Sequence, residues 1–196
     1  MDERKSVNPK SLNMKHIALY SSCPQQGKST VAKFLASECG YKVISFASPL
    51  LEMIETLLMH HGLLMESIDH YCRRAKEDPI PGIGKSYRYL ARTLGTEWGR
   101  NLVGETVWID AFRQKFERHS LRHPVCVDDL RFANELSLLR ELGFTFVKIA
   151  RNTDRDRSQD SHASDVDLIN FADWDHVIDN NGTMENLRDQ VRSIIK

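Results

Sequence analysis

The sequence predicts an α/β protein of three layers, with a five-stranded parallel sheet, helices on both faces and a small lid. Three observations lead there. Short apolar runs alternate with segments of helical periodicity along most of the chain, the pattern of strands buried on both faces. The first run passes through a turn straight into a helix, and that turn carries Gly27-Lys28-Ser29-Thr30. A chain of 196 residues can also bury roughly 70% of the surface its unfolded form exposes, so such a core needs no disulfide or metal.

The elements follow in order. His16-Ile17-Ala18-Leu19-Tyr20 reads as a buried strand entering Ser21-Ser22-Cys23-Pro24-Gln25-Gln26-Gly27. Over 28–38, Val31, Phe34 and Leu35 recur at helical spacing, and Gly40 stands where a helix C-cap belongs. A second strand is predicted over 41–46, and Pro49 then opens an apolar helix over 50–61. Residues 62–84 carry Pro79, Pro81, Gly82 and Gly84 and receive no regular element. Helices are predicted over 86–102 and 105–119, a strand over 124–130 and a helix over 134–142 closed by Gly143. A fourth strand spans 144–150, Val177 and Ile178 mark a fifth, and 184–195 is the last helix. Residues 1–13 read as a flexible N-terminal arm and 14–196 as one domain, with a helical insert at 86–121 and a polar lid at 152–165.

Lys plus Arg equals Asp plus Glu at 27 each, so the net charge of zero argues against a nucleic-acid polymer as partner. Arginines nevertheless gather at Arg88, Arg92 and Arg100 and again at Arg151, Arg155 and Arg157, which suits a small polyanion. The four cysteines show no paired spacing, and no apolar run is long enough to span a membrane. A cytoplasmic protein with free thiols is expected, in the host cytoplasm if the source is viral. Asn181-Gly182-Thr183 matches a glycosylation sequon but reads as a turn.

Ser22-Cys23-Pro24-Gln25-Gln26-Gly27-Lys28-Ser29-Thr30 carries the most chemistry. A phosphate-binding loop needs a strand, backbone N–H groups that wrap the phosphates, a Lys for the β- and γ-phosphates and a hydroxyl for Mg²⁺. The helix that starts at Lys28 adds its N-terminal dipole. All parts occur in order, which makes the three-layer architecture that of a P-loop NTPase. Ser22 replaces the first glycine of the motif. A bare strand-to-helix turn that happens to contain Gly-Lys-Ser is the plainer reading. No Asn-Lys-x-Asp sequence is present to specify guanine, and a motor ATPase would need a longer chain. A small kinase fits the length.

Val125-Cys126-Val127-Asp128-Asp129 is an apolar strand ending in two carboxylates, at the sheet edge where α/β proteins bind ligands. An acid there can hold Mg²⁺ or orient a substrate, and Arg131 follows in position to meet phosphate. The same residues would also suit an acid-capped helix with Arg131 paired to Glu135. Arg151 ends the fourth strand, and the polar loop after it carries Arg155 and Arg157. Phosphoryl transfer needs cations around the moving group and exclusion of water, which an arginine-bearing lid supplies. A solvated charged loop is the alternative.

Residues 87–100 combine three arginines, two glycines and aromatic residues including Trp98, and Trp108 follows in Val107-Trp108-Ile109-Asp110. Rings beside arginines suit a nucleotide, although both tryptophans could equally be core residues. With Leu94-Gly95-Thr96-Glu97, Asp129-Leu130-Arg131 with Glu135, Arg151, Asp160-Ser161-His162 and Asn180-Asn181-Gly182-Thr183, the chain after about Met14 resembles the deoxynucleoside monophosphate kinases of tailed bacteriophages and related viruses.

The resemblance implies ATP as phosphoryl donor, Mg²⁺ as helper and phosphorylation of deoxynucleoside 5′-monophosphates to diphosphates, as nucleotide supply for DNA synthesis. ATP would meet Gln25, Gly27, Lys28, Ser29, Thr30, Arg155 and Arg157, with Ser29 and Asp128 at the metal. Lys28, Arg131 and Arg151 would be catalytic. Arg88, Gly95, Thr96, Trp108, Asp129, Arg131 and Glu135 would surround the acceptor, with Trp108 stacking on the base. Pro24 and Gln25 stand where members often carry a basic residue, and Ser29 where they carry an acid. A homodimer is compatible with this reading. Another small P-loop kinase, such as a dephospho-coenzyme A kinase or a nucleoside kinase, and a non-catalytic ATP-binding module are the rivals. His60, His61, His70 and Cys72 fit no zinc spacing.

Overall fold

A computed structural model describes residues 14–23, 25–152, 168 and 171–196. The chain forms two compact units: residues up to Ser45 with Arg113–Lys196, and Phe46–Phe112. Where one domain with an insert at 86–121 is predicted, the second unit begins much earlier, at Phe46. The phenyl rings of Phe46 and Phe112 stack at 4.1 Å, so the two ends of this unit are fastened together.

In the first unit, β1 (His16–Tyr20), β2 (Lys42–Val43), β3 (Val125–Val127), β4 (Phe144–Ala150) and β5 (His176–Asp179) form one sheet in the order β2-β3-β1-β4-β5. Every pairing is parallel. Helices α1 (Lys28–Glu38), α6 (Ala133–Glu141) and α7 (Met184–Ile195) belong to this unit, and α5 (Val107–Ser120) runs into it from the second.

The period-two alternation of β1 and β4 assigns the two faces. Ile17, Leu19, Val147 and Ile149 join Val31 and Leu35 of α1 and Leu187, Val191 and Ile194 of α7 in one core. A fully buried side chain of this kind stabilises the fold by roughly 1.5–3 kcal/mol. On the other face His16 meets Phe116 of α5 and Phe144, Tyr20 stacks on Trp174 at 4.7 Å, and Phe146 meets Phe171. The first unit is therefore the three-layer α/β fold predicted, with a parallel five-stranded sheet covered on both faces. His16 accepts the Val125 N–H at Nδ1 (3.0 Å), and burial holds its pKa below the ordinary value, so it sits there neutral.

The edge strand β2 is shorter than the predicted 41–46, because it pairs with β3 alone; the Ile44 N–H bond to the Cys126 carbonyl is its last rung. Among the described residues no helix is long and apolar enough to cross a membrane.

The second unit is helical. Leu50, Ile54 and Leu58 of α2 (Ser48–His60) face Ile68 of α3 (Met65–Arg73), with Ile80, Tyr87 and Trp108 completing the core. Helix α3 lies inside the stretch 62–84 that receives no element from the sequence. The helix predicted over 86–102 is two structures: α4 (Tyr87–Arg92), capped by Ser86 accepting the Tyr89 N–H, and a π-helix over Thr93–Val103. A side chain from outside the segment reaches into its ladder. The Trp108 indole N–H donates to the Gly95 carbonyl at 2.8 Å, engaging an acceptor of the helical ladder. The Gly104 N–H then reaches back five residues to Gly99, at 2.9 Å.

Candidate active site

Strand β1 delivers Ser21–Gly27 to the carboxyl edge of the sheet. Gln25 and Gly27 both have positive φ (64° and 111°). Alternating conformations of this kind turn successive backbone N–H groups toward one concavity, the geometry that binds anions. The loop is braced from within by Gln26, which is 3% exposed. Its Oε1 accepts from Ser22 Oγ and the Cys23 N–H, each at 3.4 Å, and its Nε2 donates to the Arg151 carbonyl at 3.4 Å. From outside, Asn180 Nδ2 donates to the Gln26 carbonyl at 2.8 Å. The Gly27 carbonyl accepts the first helical bonds of α1, from Thr30 and Val31 at 3.0 Å each.

Lys28 is partly buried at the start of α1, and Ser29 beside it is exposed. Lys28 acts electrostatically on Asp128 at the end of β3. Burial raises the Asp128 pKa, and Lys28 pulls it back down. Asp129 is half-buried, and Arg131 is exposed. Oxygen donors from a hydroxyl and a carboxylate are what Mg²⁺ takes, so Ser29 and Asp128 fit that ion chemically.

A carboxyl with a raised folded pKa holds its proton more tightly in the folded than in the unfolded chain. Stability is therefore lost as pH rises from the ordinary carboxyl value through the folded value, and stays lost at neutral pH. Asp128→Asn is accordingly expected to raise the melting temperature in the absence of nucleotide. If Asp128 holds a metal, phosphoryl transfer should also fall roughly ten- to hundredfold. Melting and turnover of this variant check the two effects separately, and a lower melting temperature would oppose the electrostatic account.

Several site residues expected from the sequence take other roles. Glu135, 3% exposed, accepts the backbone N–H groups of Arg131 (2.9 Å) and Phe132 (3.1 Å). It caps α6 and shapes the turn that presents Arg131. Trp108, 5% exposed, lies in the core of the second unit with its N–H bound to Gly95, so it offers no face to a base. A Cβ added at Gly99 would stand 2.5 Å from its indole, so backbone and ring are in direct contact there. The open ring is Trp98, 41% exposed, with its centroid 6.2 Å from that of Trp108. The Gly95 carbonyl serves Trp108, Thr96 is exposed, and Arg88 pairs with Glu77.

Arg151 is exposed at the end of β4, and its backbone is tied to the loop through Gln26. Arg155, Arg157 and all of the lid expected at 152–165 except Asn152 lie outside the described residues, as does Pro24.

Sequence reasoning missed Gln26 and Asn180 as parts of the site. A buried amide inside a loop of small residues signals the first. The second lies next to the Asn181-Gly182-Thr183 sequon, which by itself reads only as a turn.

A family model described as deoxynucleotide monophosphate kinase matches residues 66–191, more than half of the chain. A protein of Acanthamoeba polyphaga mimivirus provisionally named a deoxynucleotide monophosphate kinase is 28% identical over 180 residues, covering 86% of this chain and 90% of its own. The deoxynucleoside-5′-monophosphate kinase of Escherichia phage T5 is 38% identical over 66 residues, covering 34% of this chain and 26% of its own. Among solved structures, a dephospho-CoA kinase from Campylobacter jejuni aligns over 92% of this chain and 95% of its own, at 14% identity and a TM-score of 0.46. The chain belongs to the deoxynucleotide monophosphate kinase family.

Proposed function

We propose that the protein transfers the γ-phosphoryl group of ATP to deoxynucleoside 5′-monophosphates. An oxygen of the acceptor phosphate attacks the γ-phosphorus, and the bond from that phosphorus to the bridging oxygen of ADP breaks. The products are a deoxynucleoside diphosphate and ADP. The observation that carries this reading is the phosphate loop between β1 and α1, with Gln25 and Gly27 at positive φ, in a chain of this family.

The backbone of residues 25–30 cradles the triphosphate, and Lys28 meets its β- and γ-phosphates. Ser29 and Asp128 would hold Mg²⁺, which would supply positive charge against the phosphates. Arg131 and Arg151, at the ends of β3 and β4, supply further positive charge to the moving group. Asp129, Thr96 and Arg88 serve the acceptor nucleotide, Arg88 after release from Glu77. Trp98 takes the stacking role that the resemblance assigned to Trp108.

ADP release across the deoxy- and ribonucleoside monophosphates tests the reading. Turnover with at least one deoxynucleoside monophosphate, and none with dephospho-coenzyme A or free nucleosides, is the expected result. Turnover with dephospho-coenzyme A alone would overturn it.

A further inference from the structure

We propose that Asn180 is a positioning residue for phosphate binding, which fixes the Gln26–Gly27 peptide and thereby the aim of the Gly27 N–H. The inference rests on the reading of residues 25–30 as the ATP phosphate cradle. The Asn180 carboxamide donates to the Gln26 carbonyl at 2.8 Å. A trans peptide is planar, so its C=O and the N–H that follows point in opposite directions. Holding the Gln26 oxygen toward Asn180 turns the Gly27 N–H away from it. That N–H is one of the donors that a helix start leaves without an intrahelical partner, and such donors are what a phosphate accepts from.

The fit is steric as well as polar. A Cβ added at Gly27 would collide with the Asn180 carboxamide, so the bare backbone of residue 27 and the amide opposite it occupy complementary space. Gly27 also has a φ of 111°, a conformation that side chains resist.

Asn180 is itself held. Its N–H donates to the Ala150 carbonyl at 2.8 Å, and Asn181 Oδ1 accepts the Asn152 N–H at 2.8 Å. Between those two anchor points lies Arg151, whose carbonyl accepts from Gln26 Nε2 at 3.4 Å. The circuit closes: Gln26 to Asn180, Asn180 to the end of β4, and the end of β4 back to Gln26. The ends of β1, β4 and β5 thus share one hydrogen-bonded ring, and Asn180 is its link to the loop backbone.

The test is titration of the full chain with inorganic tripolyphosphate and with ATP, for wild type, Asn180→Ala, Asn180→Asp and Lys28→Ala. Losing this one bond should weaken tripolyphosphate binding about tenfold in Asn180→Ala. Asn180→Asp should lose more, because a carboxylate cannot donate and repels the Gln26 oxygen. ATP binding should weaken by the same factor as tripolyphosphate, while the KM for the monophosphate stays at its wild-type value.

Weakened ATP binding with unaltered tripolyphosphate binding would move Asn180 to the nucleoside end of ATP and overturn the inference. Equal losses for all three ligands with a lowered melting temperature would leave only a structural role and also overturn it. Should Asn180→Ala fail to fold, Asn180→Ser retains a shorter donor and should lose about threefold. Loss in Lys28→Ala without loss in the Asn180 variants defeats this inference alone. Unchanged tripolyphosphate affinity in Lys28→Ala defeats the phosphate-loop reading beneath it.

Discussion

Lys28→Ala is expected to lower transfer by roughly two to four decades while the protein still folds. Lys28 begins α1, where its ammonium group adds a whole positive charge to backbone donors that carry only partial ones. A loosely bonded phosphoryl group in flight spreads negative charge over its oxygens, and a fixed cation stabilises that state more than the bound ground state. The change removes no core contact, since the buried residues of α1 are Val31, Ala32, Phe34 and Leu35. It does leave Asp128 without the cation that offsets its burial, so a modest fall in melting temperature accompanies the loss of rate. Single-turnover kinetics and a thermal melt measure both. Near-normal turnover by a folded variant would remove Lys28 from the chemistry.

Trp108→Ala is expected to cost about 3–5 kcal/mol of stability, because it empties the centre of the helical unit. The Gly95 carbonyl, within the π-helix, also loses its indole donor. Trp98→Ala forms the contrast. With 41% of Trp98 exposed, truncation should shift stability by no more than about 0.5 kcal/mol. If Trp98 stacks on the base, the monophosphate KM should rise by roughly one to two decades with the KM for ATP unchanged. Melts and paired KM values on the two variants separate core from site. A stable Trp108→Ala protein with a selective rise in the monophosphate KM would reverse the assignment.

The two tryptophans show where the sequence stops being legible. Helical spacing tells that a ring lies on some face, but which ring is covered depends on packing from α2 and α3, far off in sequence. The π-helix is hidden for the same reason: the indole that bonds to its Gly95 carbonyl lies beyond its own end. Helix α3 was missed because Ile68 is its one buried residue and the segment around it is dense in Gly and Pro. By contrast β1, α1, β4 and α7 have the bounds expected, because each is marked by residues within or next to it. Gly40 and Gly143 stop α1 and α6, and Thr183 caps α7 through the Asn186 N–H. The phosphate loop was legible since its motif is contiguous. Glu135 illustrates the opposite case, in which a residue type fits both a capping role and a substrate role and only the hydrogen bonds decide.

The ring through Gln26, Asn180 and the end of β4 also bears on how the protein acquires its activity. Its partners stand up to 154 residues apart along the chain. Contacts of such separation close late, since the entropy of the intervening loop must be overcome before they form. During synthesis Gln26 leaves the ribosome 154 residues before Asn180, whose amide closes the ring. A nascent chain therefore carries the whole phosphate-loop motif through that interval with the ring still open. With Asn180 in the proposed positioning role, phosphate binding matures only when the end of β5 docks, well after the motif itself has been made.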